Sequence, residues 1–216
     1  MNIIITQTKY EVNRKLASSL KKMGHQVICV ADICCLTDGE KGEYNRFFDD
    51  LRNRIDIFIN GIIDEDESFL IEQNYKDYCL NKLQPFLDQL FSFNQTVSAN
   101  MMRGKNTNIL FLLKYDVLRY HGVVSSPIYN NLVLSLVKSL SKELSSFSIS
   151  VNALTLGAGF YFKQLQKENM KIFNLKPSLR KIEEVAEVVE LMGIYNGKSI
   201  LSGQNVELSP GTDTTI

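Results

Sequence analysis

Apolar residues along this chain fall into two kinds of run, and the two kinds alternate. Short continuous runs, NIIIT at residues 2–6, QVICVAD at 26–32, IDIFING at 55–61, NILFLL at 108–113 and SISVNALTL at 148–156, read as buried strands. A last strand falls in SILSGQNVELS at 199–209. Between them lie segments whose apolar residues recur at helical spacing: VNRKLASSLKKMG, KGEYNRFFDDLRNR, a long stretch over 75–97, residues 129–146 and KIEEVAEVVELMG. Gly24 stands where a helix C-terminal glycine belongs. Strand and helix in strict succession imply a parallel sheet covered on both faces, so the expected fold is a Rossmann-like, doubly wound, three-layer α/β/α domain over residues 1–216. Ligands in such folds bind at the carboxyl ends of the strands.

Composition narrows the function classes. A chain of 216 residues, 44% apolar, can bury one substantial core, and its 24 basic and 24 acidic residues cancel. That balance gives no electrostatic footprint for nucleic acid or an anionic membrane. No apolar run approaches the ~20 residues that span a bilayer, and the amino terminus turns polar too soon for a signal peptide, so a cytoplasmic protein is expected. Cys29, Cys34, Cys35 and Cys79 lack paired metal-ligand spacing and read as reduced, structural thiols; no metal is expected. His25 reads as a structural residue in a helix-to-strand turn.

Several segments in order resemble short-chain dehydrogenases/reductases. DIFING resembles the strand that ends in NNAG; YCLNKLQPF resembles the helix that carries an active-site asparagine, placed on Asn81. KEL at 142–144 followed by SISVNALTLGAG resembles the helix that leads into I-x-V-N-A-V-x-P-G, and SILSGQNVELSPG resembles the closing Y-I-T-G-Q-x-I-x-V-D-G-G. The resemblance implies a nicotinamide dinucleotide site with Thr6, Asp32, Asn60 and Gly61 as its candidates. Asp32, at the end of the second strand, matches the carboxylate that accepts from the adenosine ribose in NAD-preferring relatives, and equally suits an aspartate capping a turn.

The pattern breaks where the chemistry should be. The family's glycine-rich turn, TGxxxGxG, reads TQTKYEVN here, with Gln7, Glu11 and Asn13 at the glycine positions. Glu11 would place a negative charge near two phosphates, and it is expected to occupy the pyrophosphate position at the helix N-terminus. Only four residues separate VICVAD from TDGEKGEYNRFF, so one edge αβ unit after the second strand is expected to be missing. Measured from KEL, the family's tyrosine falls on Ser126 and its lysine on Asn130; the serine falls on Leu113. The proton relay those three provide is therefore absent.

The expectation is a degenerate member of that family, a non-catalytic binding or scaffolding partner in a biosynthetic pathway, with no cofactor, or NAD if any. Its partner would be an identical chain or an active relative, docked through the helices around 75–97 and 129–146, where Leu132, Val133, Leu136, Val137, Leu140 and Leu144 form an apolar face. Two alternatives stay open. One is a non-redox enzyme, such as a lyase or isomerase, using Asn81, Lys114, Tyr115 or Tyr129, with His121 nearby; the other is an atypical NAD-dependent oxidoreductase.

Overall fold

The computed structural model describes residues 1–33, 55–63, 79–104, 106–114, 127–157, 181–194 and 201–208, with Lys76 and Phe160. Six parallel strands form one sheet: β1 (Asn2–Ile5), β2 (Gln26–Cys29), β3 (Ile57–Asn60), β4 (Thr107–Lys114), β5 (Ile149–Leu156) and β6 (Asn205–Leu208). Their order is β2-β1-β3-β4-β5-β6, which places the first strand inside the sheet and reverses the winding beside it. Among the described residues β2 is an edge; the stretch after it, where an edge unit was expected to be missing and a helix expected at 41–54, lies outside the described residues.

Alternation along the strands sorts the core into two layers. Ile3, Ile5, Ile57, Ile59, Leu110, Leu112, Leu154 and Leu156 pack against α1 (Glu11–Lys22) through Leu16, Ala17 and Leu20. A later helix, Ile182–Ile194, adds Val185, Ala186 and Val189 to that layer. On the other face Ile4, Phe58, Ile109, Phe111, Leu113, Val151 and Ala153 meet α2 (Gln84–Met101) and α3 (Pro127–Leu144). With Ile182–Ile194 numbered α4, two helices cover each face among the described residues, and the expected doubly wound α/β architecture is the one observed. Of the apolar face anticipated on α3, Val133, Leu136, Val137 and Leu144 are buried in this core with Tyr129.

Backbone chemistry explains the element ends. Gly24 takes φ +89° and its N–H reaches the Lys21 carbonyl, while His25 N–H reaches Leu20, ending α1 in a left-handed cap. Pro85 has no N–H to offer the preceding turn, and the chain forms a π-helical turn at Cys79–Leu83 before α2 starts with that proline in its first turn. Strand β2 stops at Cys29, short of the QVICVAD expected, because the Val30 and Ala31 carbonyls accept from Thr8 and Lys9 in the turn after β1.

Asn152 fixes the last strand. Its side chain donates to the Leu201 carbonyl at 2.9 Å and accepts from Gln204 N–H at 3.1 Å, so the V-N-A and S-G-Q segments bind each other directly. Gly203, at φ +75°, lies in the same turn, and a Cβ there would stand 2.7 Å from Ser141 Oγ. Asn152→Ala should cost about 1–3 kcal/mol by leaving these two backbone groups unpaired, read as a lower urea midpoint with an unchanged m-value.

Candidate functional site

The carboxyl ends of β1, β2 and β3 meet the turn that opens α1, and the residues anticipated for a dinucleotide site all lie there. Gln7 occupies the first glycine position and keeps the left-handed backbone a glycine would supply, at φ +57°. Its side chain is only 2% exposed, and its Oε1 is buried without a hydrogen-bond partner. The N–H groups of Thr8, Lys9 and Tyr10 are bonded to the carbonyls of Val30, Ala31 and Gln7. These turn donors are therefore committed within the protein.

At the third glycine position Asn13 is fully buried. Its amide donates to the Gln7 and Ile62 carbonyls, each at 2.8 Å, and its oxygen accepts from Ile62 N–H at 3.0 Å. Space for that side chain exists because the opposing residue is Gly61: a Cβ there would lie 2.2 Å from the Thr6 carbonyl oxygen and 2.7 Å from Asn13 Nδ2. Gly61 N–H in turn donates to Thr6 Oγ1 at 3.1 Å. The inward-filling residue is thus Asn13. Glu11, expected at the pyrophosphate position, opens α1 and pairs its carboxylate with Lys15 at 2.9 Å, with 44% of its side chain exposed.

Asn60, at the end of β3, exchanges two hydrogen bonds with Asn94 of α2, at 3.0 and 2.9 Å, and Asn94 also donates to the Leu90 carbonyl. The pair sits buried on the α2–α3 face. Asp32 is held by Lys9, which also lies 5.0 Å from the centre of the Tyr10 ring. Burial lowers the Lys9 pKa, but the Asp32 hydrogen bond and the charges of Tyr10 and Asp32 outweigh it and leave the pKa raised.

On the substrate side, Leu113 stands at the family's serine position within the α2–α3 core. Asn130, at the lysine position, is buried and donates its amide to the Lys114 carbonyl at 2.6 Å, tying α3 to the end of β4. Tyr129 is buried and meets Phe86 edge-on, with ring centroids 5.6 Å apart. Strand alternation sets Leu113 on the Tyr129 face and Lys114 on the opposite face with Leu110 and Leu112, so the two candidates for a rebuilt relay are divided by the sheet. Asn81 lies exposed in the π-helical turn. Tyr115, His121 and Ser126 lie outside the described residues.

Lys114 is 7% exposed, and burial lowers its pKa from 10.5 to about 8. Among the described residues no group of three or more His, Cys, Asp or Glu side chains could hold a metal ion, and no helix is long and apolar enough to cross a membrane. Sequence reading placed Asn13 at a glycine position and Asp32 at a strand end without foreseeing the inward bonds of the first or the Lys9 partner of the second, and it missed Asn94. Only Lys9 carried any local signal, as a cation in the turn facing an acidic strand end.

No family model matches the chain, and no curated protein matches it. Solved structures do. The TT0495 protein from Thermus thermophilus superposes with a TM-score of 0.75 at 20% identity, covering 97% of each chain. A short chain dehydrogenase from Leptospira borgpetersenii with bound NAD+ gives 0.77 at 17% identity, over 97% of this chain and 91% of that one. YwfH, an NADPH dependent reductase involved in bacilysin biosynthesis, gives 0.74 at 13% identity, over 98% and 99%. The fold is therefore that of the short-chain dehydrogenases/reductases.

Two outcomes test this geometry. Asn13→Ala removes three buried hydrogen bonds between α1, the turn and the end of β3, and is expected to lower stability by about 3 kcal/mol in urea denaturation. A lysine whose folded pKa lies below its unfolded value holds its proton less tightly in the fold, so stability is lowest below about pH 8 and rises towards 10.5. Lys114→Met should therefore resist urea better than wild type at pH 7, by up to about 3 kcal/mol, and lose that advantage towards pH 10.

Proposed function

We propose that this chain is a pseudoenzyme built on the short-chain dehydrogenase/reductase fold: a binding or scaffolding partner in a biosynthetic pathway that does not transfer hydride. The carrying observation is Asn130. In the resembled family a lysine at this place lowers the pKa of the tyrosine and holds the ribose. Here the residue is uncharged, buried, and spends its amide on the carbonyl of Lys114. Leu113, at the family's serine position, has no hydroxyl to polarise a carbonyl.

The nucleotide half of the cleft supports the same reading. A dinucleotide needs the turn's backbone donors and an open approach to α1, whereas Thr8, Lys9 and Tyr10 donate internally and Gln7 brings a side chain to the first glycine position. Asp32, which would have to accept from a ribose, already accepts from Lys9. These residues do not fit a dinucleotide. If any nicotinamide nucleotide binds, NAD is the form we assign, by analogy with the NAD+ in the Leptospira structure.

Binding to a second copy or to an active relative is placed on α2 and the turn before it, where Leu80 is 52% and Phe91 49% exposed, together with the neighbouring helix α3. We place the protein in the cytoplasm. A second reading, non-redox chemistry in the same cleft, is favoured by one observation: the buried amine of Lys114 at the end of β4.

Titration of the purified protein with NADH and NADPH, followed by nucleotide fluorescence or calorimetry, tests the leading reading. No saturable binding is expected at sub-millimolar nucleotide. Tight one-to-one binding of either form would overturn it.

A further inference from the structure

Helices α1 and α4 lie on the same face of the sheet and contact each other. Both return from the carboxyl to the amino edge of a parallel sheet, so they run in the same direction. Their solvent sides carry opposite charge. On α1 the exposed residues after Glu11 are Arg14, Lys15, Ser18, Lys21 and Lys22. On α4 the outward stripe is Glu183, Glu187, Leu191 and Ile194, the last two 53% and 66% exposed. Lys15 is paired with Glu11, but among the described residues Arg14, Lys21, Lys22, Glu183 and Glu187 have no ion-pair partner. A chain of zero net charge thus sets a basic helix beside an acidic one and leaves most of both unpaired.

A surface fits a second copy of itself when a two-fold rotation brings each patch onto its opposite. An axis in the plane of this face, parallel to the two helices and centred between them, lays α1 of one copy over α4 of the other, twice. An axis across the helices would instead set α1 on α1 and α4 on α4, with like charges opposed. We propose that this face is an interface for a second copy of the chain, with Arg14 and Lys15 of α1 against Glu183 and Glu187 of the opposing α4. In that alignment Lys21 and Lys22 fall over Leu191 and Ile194, and their methylene stems cover these apolar side chains while the ammonium groups reach solvent. The surface is on the layer opposite α2 and α3, so it leaves those helices to a different chain, and it does not depend on whether a nucleotide binds. Two helices of 12 and 13 residues side by side cover roughly 400 Å² per copy, about half of what a stable interface buries. The dimer is therefore transient and held by charge.

Sedimentation equilibrium of the intact chain tests this. A monomer–dimer equilibrium is expected at about 50 mM NaCl, and its dissociation constant should rise at least about ten-fold at about 500 mM. The double variants Glu183→Lys/Glu187→Lys and Arg14→Glu/Lys15→Glu change exposed side chains only or half-exposed ones paired at the surface, and each should be monomeric where the wild type is mostly dimer. Mixed one to one, the two variants should dimerise as the wild type does, because every helix again meets its opposite. A wild type that is monomeric up to about 0.5 mM, an association that neither reversal weakens, or a mixture that stays monomeric overturns the proposal.

Discussion

The cleft depends on one contact, the seating of Asn13 against Gly61. A doubly wound fold must bring its first helix close to the strand ends, and relatives manage this with a glycine on the helix. Here the glycine is on the opposite side, at the end of β3, and an asparagine side chain fills the space it leaves. The approach is preserved, but the contact changes from bare van der Waals packing to three hydrogen bonds that join α1, the turn and residue 62. That link also holds Gln7 in a left-handed conformation costing roughly 1–2 kcal/mol for a residue with a Cβ.

Substitutions elsewhere follow the same logic. Asn130 lacks the length and charge of a lysine and instead reaches the adjacent strand carbonyl; Asp32 is neutralised by Lys9; Asn60 is matched by Asn94. In each case a group that the resembled fold presents to a ligand is directed to another part of this chain. A cleft whose polar groups satisfy one another gains stability and loses affinity for solute, since each such group would have to give up a partner before binding. Lys114 is buried at the end of β4, and burial lowers its pKa to about 8.

The layers and the sheet were legible in the sequence because short continuous runs such as Ile3–Ile5 and Leu110–Leu113, too short for buried helices, read as strands buried on both faces, and the helical spacing of Leu16 with Leu20, or Val133 with Val137, assigns the covering layer. The positions at which the family's motifs break were legible too. What replaces them was not. Asn13 bonds to a residue 49 positions away and Asn60 to one 34 away, and asparagine carries no periodic signal that would pair them. Glu11 drew attention as the charged residue, while the neutral residue two positions later enters the core. Lys114 and Tyr129 were both candidates for a rebuilt relay, and spacing alone does not show which layer each position of β4 faces.

The wiring of this molecule consists largely of carboxamides: Asn13, Asn60, Asn94, Asn130 and Asn152 each join separate elements. Carboxamides carry no net charge, so ionic strength has little hold on this framework. Its vulnerability is chemical instead. Asparagine is among the thermolabile side chains, and prolonged heat that hydrolyses one of these amides would place a carboxylate where a donor is required.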